Sequence, residues 1–253
     1  MTLPDLGPVA SLGAAGWAWL ALVLVGASFV RGYSGFGLSA LVVAGGGLVV
    51  DPGVLVPVVV LIEMVLAAPQ WPSMRGAVDW RRVGLLFAGC LVGVPLGVRA
   101  TALLGEDATR AVVALWVLVL CAVMLRGWRL ERAPGAPTHV AVGLASGLAN
   151  GVGVGGLPVA AFFAAQGLPP AAFRATLVAY FLLLDLWTVP VMAREGLMGR
   201  DTLALAALAL PFTLLGLALG SRRFLAAPPE EFRRLAVLLL AGLAVLGLAR
   251  AAL

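Results

Sequence analysis

Eight apolar runs, at residues 17–50, 54–70, 83–103, 110–126, 139–166, 171–193, 202–220 and 235–250, leave this chain little to become except a set of helices in a bilayer. A spanning helix needs about 20 apolar residues, and lipid offers backbone N–H and C=O groups no partner outside the helix itself. The composition agrees, with 62% hydrophobic and 11% charged residues and a mean hydropathy of +1.08, whereas a soluble domain carries roughly a quarter charged residues. The basic balance does not point to nucleic acid. Its cations are all arginine and lie mostly between the apolar runs, not gathered on one exposed face. Cys90 and Cys121 sit inside apolar runs, where a lone cysteine acts as a small hydrophobe. His139, the single histidine, has no second ligand spaced to help it and reads as an interfacial residue, so neither a metal nor another cofactor is expected. The first run lacks the basic flank of a cleaved signal peptide and should be retained.

Two of the runs are interrupted. Gly32-Tyr33-Ser34-Gly35-Phe36-Gly37 lies inside 17–50, and Asn150-Gly151-Val152-Gly153-Val154-Gly155-Gly156 inside 139–166. Glycine permits unwound backbone, which survives at membrane depth only where protein or a water-filled cavity satisfies its amides. Interrupted hydrophobic segments at matching places in two halves are the best sequence pointer to a transporter's substrate site.

The halves match at their ends as well. Gly93-Val94-Pro95-Leu96-Gly97-Val98-Arg99 returns as Gly216-Leu217-Ala218-Leu219-Gly220-Ser221-Arg222, each followed by a short polar stretch and a last apolar run, the second opened by Pro229-Glu230-Glu231. The reading is an all-α polytopic membrane protein of two homologous four-segment repeats, residues 1–132 and 139–253, joined by a linker at 133–138 that holds Pro134-Gly135-Ala136-Pro137.

With these motifs the chain resembles the sulfite exporter TauE/SafE family, also called the toluene sulfonate uptake permease family. The resemblance rests on the two glycine clusters, on Gly167-Leu168-Pro169-Pro170, and on the loop Arg75-Gly76-Ala77-Val78-Asp79-Trp80-Arg81, and it covers nearly the whole length. The first cluster lacks the compact Gly-Ile-Gly-Gly-Gly form, its Gly45-Gly46-Gly47 falling later, and the second-half loop reads Gly196-Leu197-Met198-Gly199-Arg200-Asp201 with no second Val-Asp-Trp. The resemblance implies secondary transport of sulfite, sulfonates or small organic anions, commonly outward, across a bacterial-type cytoplasmic (inner) membrane.

Ionisable side chains inside apolar runs are costly and therefore candidates for function. Arg31 precedes the first cluster, Glu63 and Asp185 lie deep in their runs, and Arg99, nearer an end, reads as an interfacial residue whose stem reaches the headgroups. The expected anion site lies between the clusters, touching Ser34, Gly35, Phe36 and Gly37 from one half and Asn150, Gly151, Gly153, Gly155 and Gly156 from the other, with Arg31 supplying charge. Glu63 and Asp185 are candidates to carry protons as the coupling ion or to pair with Arg31, and the residues leave both open.

The function expected is a secondary transporter, in the exporting direction, of a small anion such as sulfite or an organosulfonate. The alternatives are a passive anion channel and a proton-coupled carrier of small organic carboxylates. Catalysis is not expected, because the chain offers no Ser/His pair, no His-Glu-x-x-His and no aspartate pair in facing segments. A homo-oligomer is compatible with the sequence. Topology has its own signal in the positive-inside rule. If both interrupted runs are re-entrant hairpins, Arg75, Arg81, Arg82, Arg126, Arg129, Arg132, Arg174, Arg222, Arg223, Arg233 and Arg234 fall on the cytoplasmic side, with Arg110, Arg194, Arg200 and Arg250 outside. That bias favours hairpins, and with them inverted repeats.

Overall fold

The computed structural model of the chain describes residue 9 and residues 11–103, 105–126, 129–130 and 132–224. Every regular element among these is helical: α1 (Ala14–Ser34), α2 (Leu38–Gly46), α3 (Pro52–Met74), α4 (Trp80–Ala102), α5 (Glu106–Leu125), α6 (Ala136–Asn150), α7 (Gly156–Ala165), α8 (Pro170–Arg194) and α9 (Arg200–Phe224). Among the described residues, five stretches are long and apolar enough to cross a membrane, Ala14–Ser34, Pro52–Ala77, Trp80–Ala102, Pro170–Arg194 and Arg200–Arg222. The expected last run at 235–250, and the helix start at Pro229, lie outside the described residues.

Both interrupted runs break at their glycines. α1 ends where Gly35 turns left-handed at φ 85° and its N–H reaches back to the Arg31 carbonyl at 2.8 Å; Gly37, at φ 93°, precedes α2. An L side chain is strained in that conformation, so a helix running into such a pair stops. α2 then folds back along α1: Gly37 lies against Val30, Gly46 lies against Leu20, and the Trp19 indole donates to the Gly45 carbonyl at 2.8 Å. The second break repeats the manoeuvre. Gly153 takes φ 77°, the Ser146 hydroxyl donates to the Gly155 carbonyl at 2.6 Å, and the rings of His139 and Phe162 meet edge-on at 5.0 Å. α7 therefore runs back beside α6. His139 is buried there, its Nδ1 2.9 Å from the Gly135 carbonyl, and packs within the hairpin.

The hairpins are clasped by helices from elsewhere in the chain. A Cβ at Gly89, Gly93 or Gly97 of α4 would strike the carbonyls of Val140, Leu144 or Leu148 of α6, and one at Gly143 would strike Leu86 in return. On α9, a Cβ at Gly216 or Gly220 would strike the carbonyls of Val25 or Phe29 of α1, and one at Gly32 would strike Leu217. Small residues at this spacing let helix backbones touch where lipid supplies no hydrophobic drive to associate. In both seams the numbers rise together, so α4 runs parallel to α6 and α9 parallel to α1.

The two most enclosed of the five apolar spans, α3 and α8, fill the space between the hairpins. α3 runs parallel to α1, since Leu55 faces Leu20 across Gly46 while Glu63 faces Arg31 farther along. α8 runs against α3, pairing Arg174 with Gln70 at one end and Thr176 with the residues following α3. The loop Arg75 to Arg81 explains itself here. Asp79 caps α4 by accepting the Arg82 N–H at 3.0 Å, its own N–H donates to Thr176 Oγ1 at 3.0 Å, and Trp80 packs on Trp71 with ring centres 6.0 Å apart. Burial favours the neutral acid at Asp79, but hydrogen bonds and charge from Arg82, with the Arg81 N–H, outweigh it and hold the carboxyl below its ordinary value.

Candidate functional site

Ionisable side chains from three helices meet between the hairpins. Arg31, one turn before the first break, is 0% exposed; its Nη1 donates to Glu63 Oε1 of α3 at 3.0 Å, and its guanidinium lies over the Phe181 ring of α8, 5.6 Å from the centroid. Asp185 of α8, 1% exposed, lies within electrostatic reach of Glu63, Arg31 and Asn150. Neither Asp185 oxygen completes a hydrogen bond, and neither do Arg31 Nε and Nη2. Two carboxyl groups thus share one guanidinium, and only Glu63 is bonded to it.

The second hairpin supplies the neutral polar groups. Asn150, the last residue of α6, donates through Nδ2 to Thr188 Oγ1 at 2.9 Å, and Tyr180 donates to Ser146 Oγ at 2.9 Å. Gly155 and Gly156 are small for a reason visible at this point. A Cβ on Gly155 would stand 2.6 Å from Asn150 Oδ1, and one on Gly156 would stand 3.0 Å from the Phe181 ring that carries Arg31. Gly151 has a different task, since a Cβ there would strike the backbone of Gly97; it belongs to the α4–α6 seam. Gly153 supplies the left-handed turn and abuts Val43 and Val56.

The first cluster lies about one helical turn beyond Arg31, roughly 6 Å along the axis at 1.5 Å per residue. There Ser34 spends its hydroxyl on the turn, donating to the Val30 carbonyl at 2.8 Å and meeting the Phe36 carbonyl at 3.1 Å. Gly35 lies against the Arg174 side chain, and Phe36 packs edge-on to Phe173 with centres 6.3 Å apart. The expected residues therefore divide. Arg31, Asn150, Gly155 and Gly156 lie about Glu63 and Asp185, whereas in the first cluster Gly35 lies against a second polar group formed by Arg174, Gln70 and Ser221. Arg174 Nη2 donates to Ser221 Oγ at 3.1 Å and to Gln70 Oε1 at 3.4 Å.

Arg174, counted above on the cytoplasmic side, is buried. It lies inside the apolar run 171–193, so the rule that singled out Arg31 would have found it. Arg99, by contrast, reaches out of α4 to Glu195 at 3.1 Å and is largely exposed. Among the described residues no three His, Cys, Asp or Glu side chains group as metal ligands.

A family model described as sulfite exporter TauE/SafE matches residues 20–247 of this chain. The chain belongs to the sulfite exporter TauE/SafE family. A curated relative, the probable sulfite/organosulfonate exporter TauE of Cupriavidus necator, is 29% identical over 254 residues, covering 96% of this chain and 93% of the relative. No solved structure matches the chain. As a TauE/SafE member with several apolar helices of spanning length, it is a multi-pass membrane transporter. The helix breaks and the buried ionic centre thus lie within a transport protein.

Proposed function

We propose that this TauE/SafE protein is a secondary transporter that exports sulfite or a small organosulfonate across the cytoplasmic membrane. The observation that carries the reading is the meeting of two glycine-broken hairpins around a buried arginine whose Nε and Nη2 make no hydrogen bond. An anion entering a dry interior must exchange its water for fixed N–H donors. α2 and α7 both begin at the glycine clusters, and helix N-termini present unpaired amides and partial positive charge. In this reading the anion passes Ser34, Gly35, Phe36 and Gly37 on one side and Asn150, Gly151, Gly153, Gly155 and Gly156 on the other, with Arg31 as the charged contact held in place by Glu63.

The same reading takes residues 1–132 and 139–253 as inverted repeats about the linker 133–138. What supports it is the set of helix directions. α1 and α3 run together, α3 turns back into α4 at the Trp71–Trp80 contact, and α6 follows α4, so the leading helix of the second hairpin opposes that of the first. α3 and α8 oppose each other likewise. Inverted repeats suit alternating access around a fixed central site.

The test is thermal stabilisation of the purified protein by sulfite, methanesulfonate and small carboxylates, because a ligand of the native state raises its stability. Sulfite or the sulfonate is expected to raise the melting temperature where carboxylates do not, and proteoliposomes are expected to show counterflow. Stabilisation by carboxylates alone would overturn the substrate class, and flux without counterflow would overturn the carrier in favour of a channel.

A further inference from the structure

Resting on the anion-transporter reading, we propose that Asp185 is a proton-binding site, and that the proton it carries binds together with the anion. The geometry already described carries the argument. The central cluster holds one guanidinium and two carboxyl groups, and Arg31 is bonded to Glu63 at 3.0 Å. Asp185, 1% exposed with neither oxygen hydrogen-bonded, has no bonded counter-charge. An isolated carboxylate in so dry a place is expensive, and the inexpensive remedy is a proton.

Among the described residues, the groups facing Asp185 supply no second cation. Arg31 faces it from α1, Glu63 from α3, Asn150 from α6 and Cys90 from α4, while its own helix contributes Tyr180 and Thr188. The only cation of this group is Arg31. Arg174 stands eleven residues earlier on α8, about 16 Å away along the axis, beside Gln70 and Ser221.

Binding of anion and proton must favour each other. An anion on the two remaining donors of Arg31 adds a negative charge beside Asp185, which makes the protonated acid more favourable still. Conversely, a proton on Asp185 keeps that carboxylate from competing with the anion for Arg31. Reciprocity of linked binding then makes anion affinity rise as pH falls. For a monovalent anion the loaded centre carries the same net charge as the unprotonated empty one, so anion and proton cross together without moving net charge. Each cycle takes one proton from the side where the anion is loaded and releases it with the anion.

The probe is methanesulfonate, which stays ionised throughout the range and contributes no titration of its own. Its affinity for the full-length protein, measured from pH 5 to pH 9, is expected to fall about tenfold per unit above the titration of Asp185, the slope of one linked proton. Asp185→Asn should make affinity nearly independent of pH, and Asp185→Glu should restore the dependence with a displaced midpoint. Infrared spectroscopy gives a readout that needs no substrate, because the carbonyl band of a protonated, dry carboxylic acid is expected in the wild type and should vanish in Asp185→Asn. A wild-type affinity independent of pH, a dependence on sodium in its place, or an infrared band unchanged in Asp185→Asn would overturn the proton site. Failure of methanesulfonate and sulfite to bind at any pH would overturn the transport reading instead, while the infrared band still decides whether Asp185 holds a proton.

Discussion

Arg31 on α1 and Glu63 on α3 are joined at 3.0 Å in a centre where Arg31 has no exposed surface, with Asp185 close by and bonded to neither. Removing one partner of a buried pair commonly costs about 3–5 kcal/mol, because the other charge is left uncompensated. Here the two partners are not equivalent. Glu63→Gln leaves Arg31 a substitute in Asp185, whereas Arg31→Met leaves two carboxyl groups facing each other. Melting of the purified variants is expected to show a distinctly larger loss for Arg31→Met, and equal losses would argue that Asp185 does not exchange with Glu63.

The same arginine has a functional readout. Arg31→Ala should weaken methanesulfonate binding about tenfold or more, roughly 1.5 kcal/mol for a lost charge-assisted hydrogen bond. Unchanged affinity in a folded variant would leave Arg31 with the ion pair alone.

Glycines that look alike in sequence should respond differently. Gly26 has open space around its Cβ position, whereas at Gly143 a Cβ would strike the Leu86 carbonyl. Gly26→Ala is expected to be neutral or to stabilise by up to about 1 kcal/mol, as alanine favours helix over glycine. Gly143→Ala should separate α6 from α4 and lower the yield of folded protein. Size-exclusion profiles and melting curves of the pair check this, and a well-folded Gly143→Ala protein would contradict the seam.

Gly155→Val tests the break itself. Its side chain would meet Asn150 Oδ1 and the Ser146 carbonyl without entering the α4–α6 seam, so the protein should still reach the membrane while flux in proteoliposomes is lost. Normal flux would remove the second hairpin tip from the anion's path.

Asp79 predicts an acid-sensitive helix start. Its carboxyl is held below the ordinary value by Arg82, so the capping contribution is complete above the unfolded value of about 3.9 and disappears as pH falls through the lower folded one. The melting temperature of the wild type should therefore drop below about pH 4, and that of Asp79→Asn should start lower and drop less. Parallel curves would contradict the assignment.

Much of this is legible in the sequence alone. Apolar length gave the long helices, and the two glycine clusters gave the breaks, because both signals are local and physical. The sequence also flags Gly93/Gly97 and Gly216/Gly220 as a matched pair, without revealing that each clasps a hairpin; which helix a glycine touches depends on packing between segments far apart in the chain. Arg174 escaped because it stands only four residues inside its run, where a charged side chain ordinarily reaches water; the first hairpin covers it instead. The division of the expected site followed from the same cause, since hairpins of unstated depth do not reveal which residues share a level.

The parallel seam between α1 and α9 has a consequence for how the chain is made. α1 ends at Ser34 and α9 begins at Arg200, so the glycine face of the first helix waits for its partner until most of the protein has left the ribosome. At about 5–20 residues per second that delay is on the order of ten seconds or more. α4 and α6, separated only by α5, meet much sooner. The second hairpin is therefore secured early and the first late, when α9 clasps α1. A ribosome stalled before α9 should hold a chain whose leading helix is still within reach of insertase or protease, and that vulnerability should end abruptly once α9 emerges.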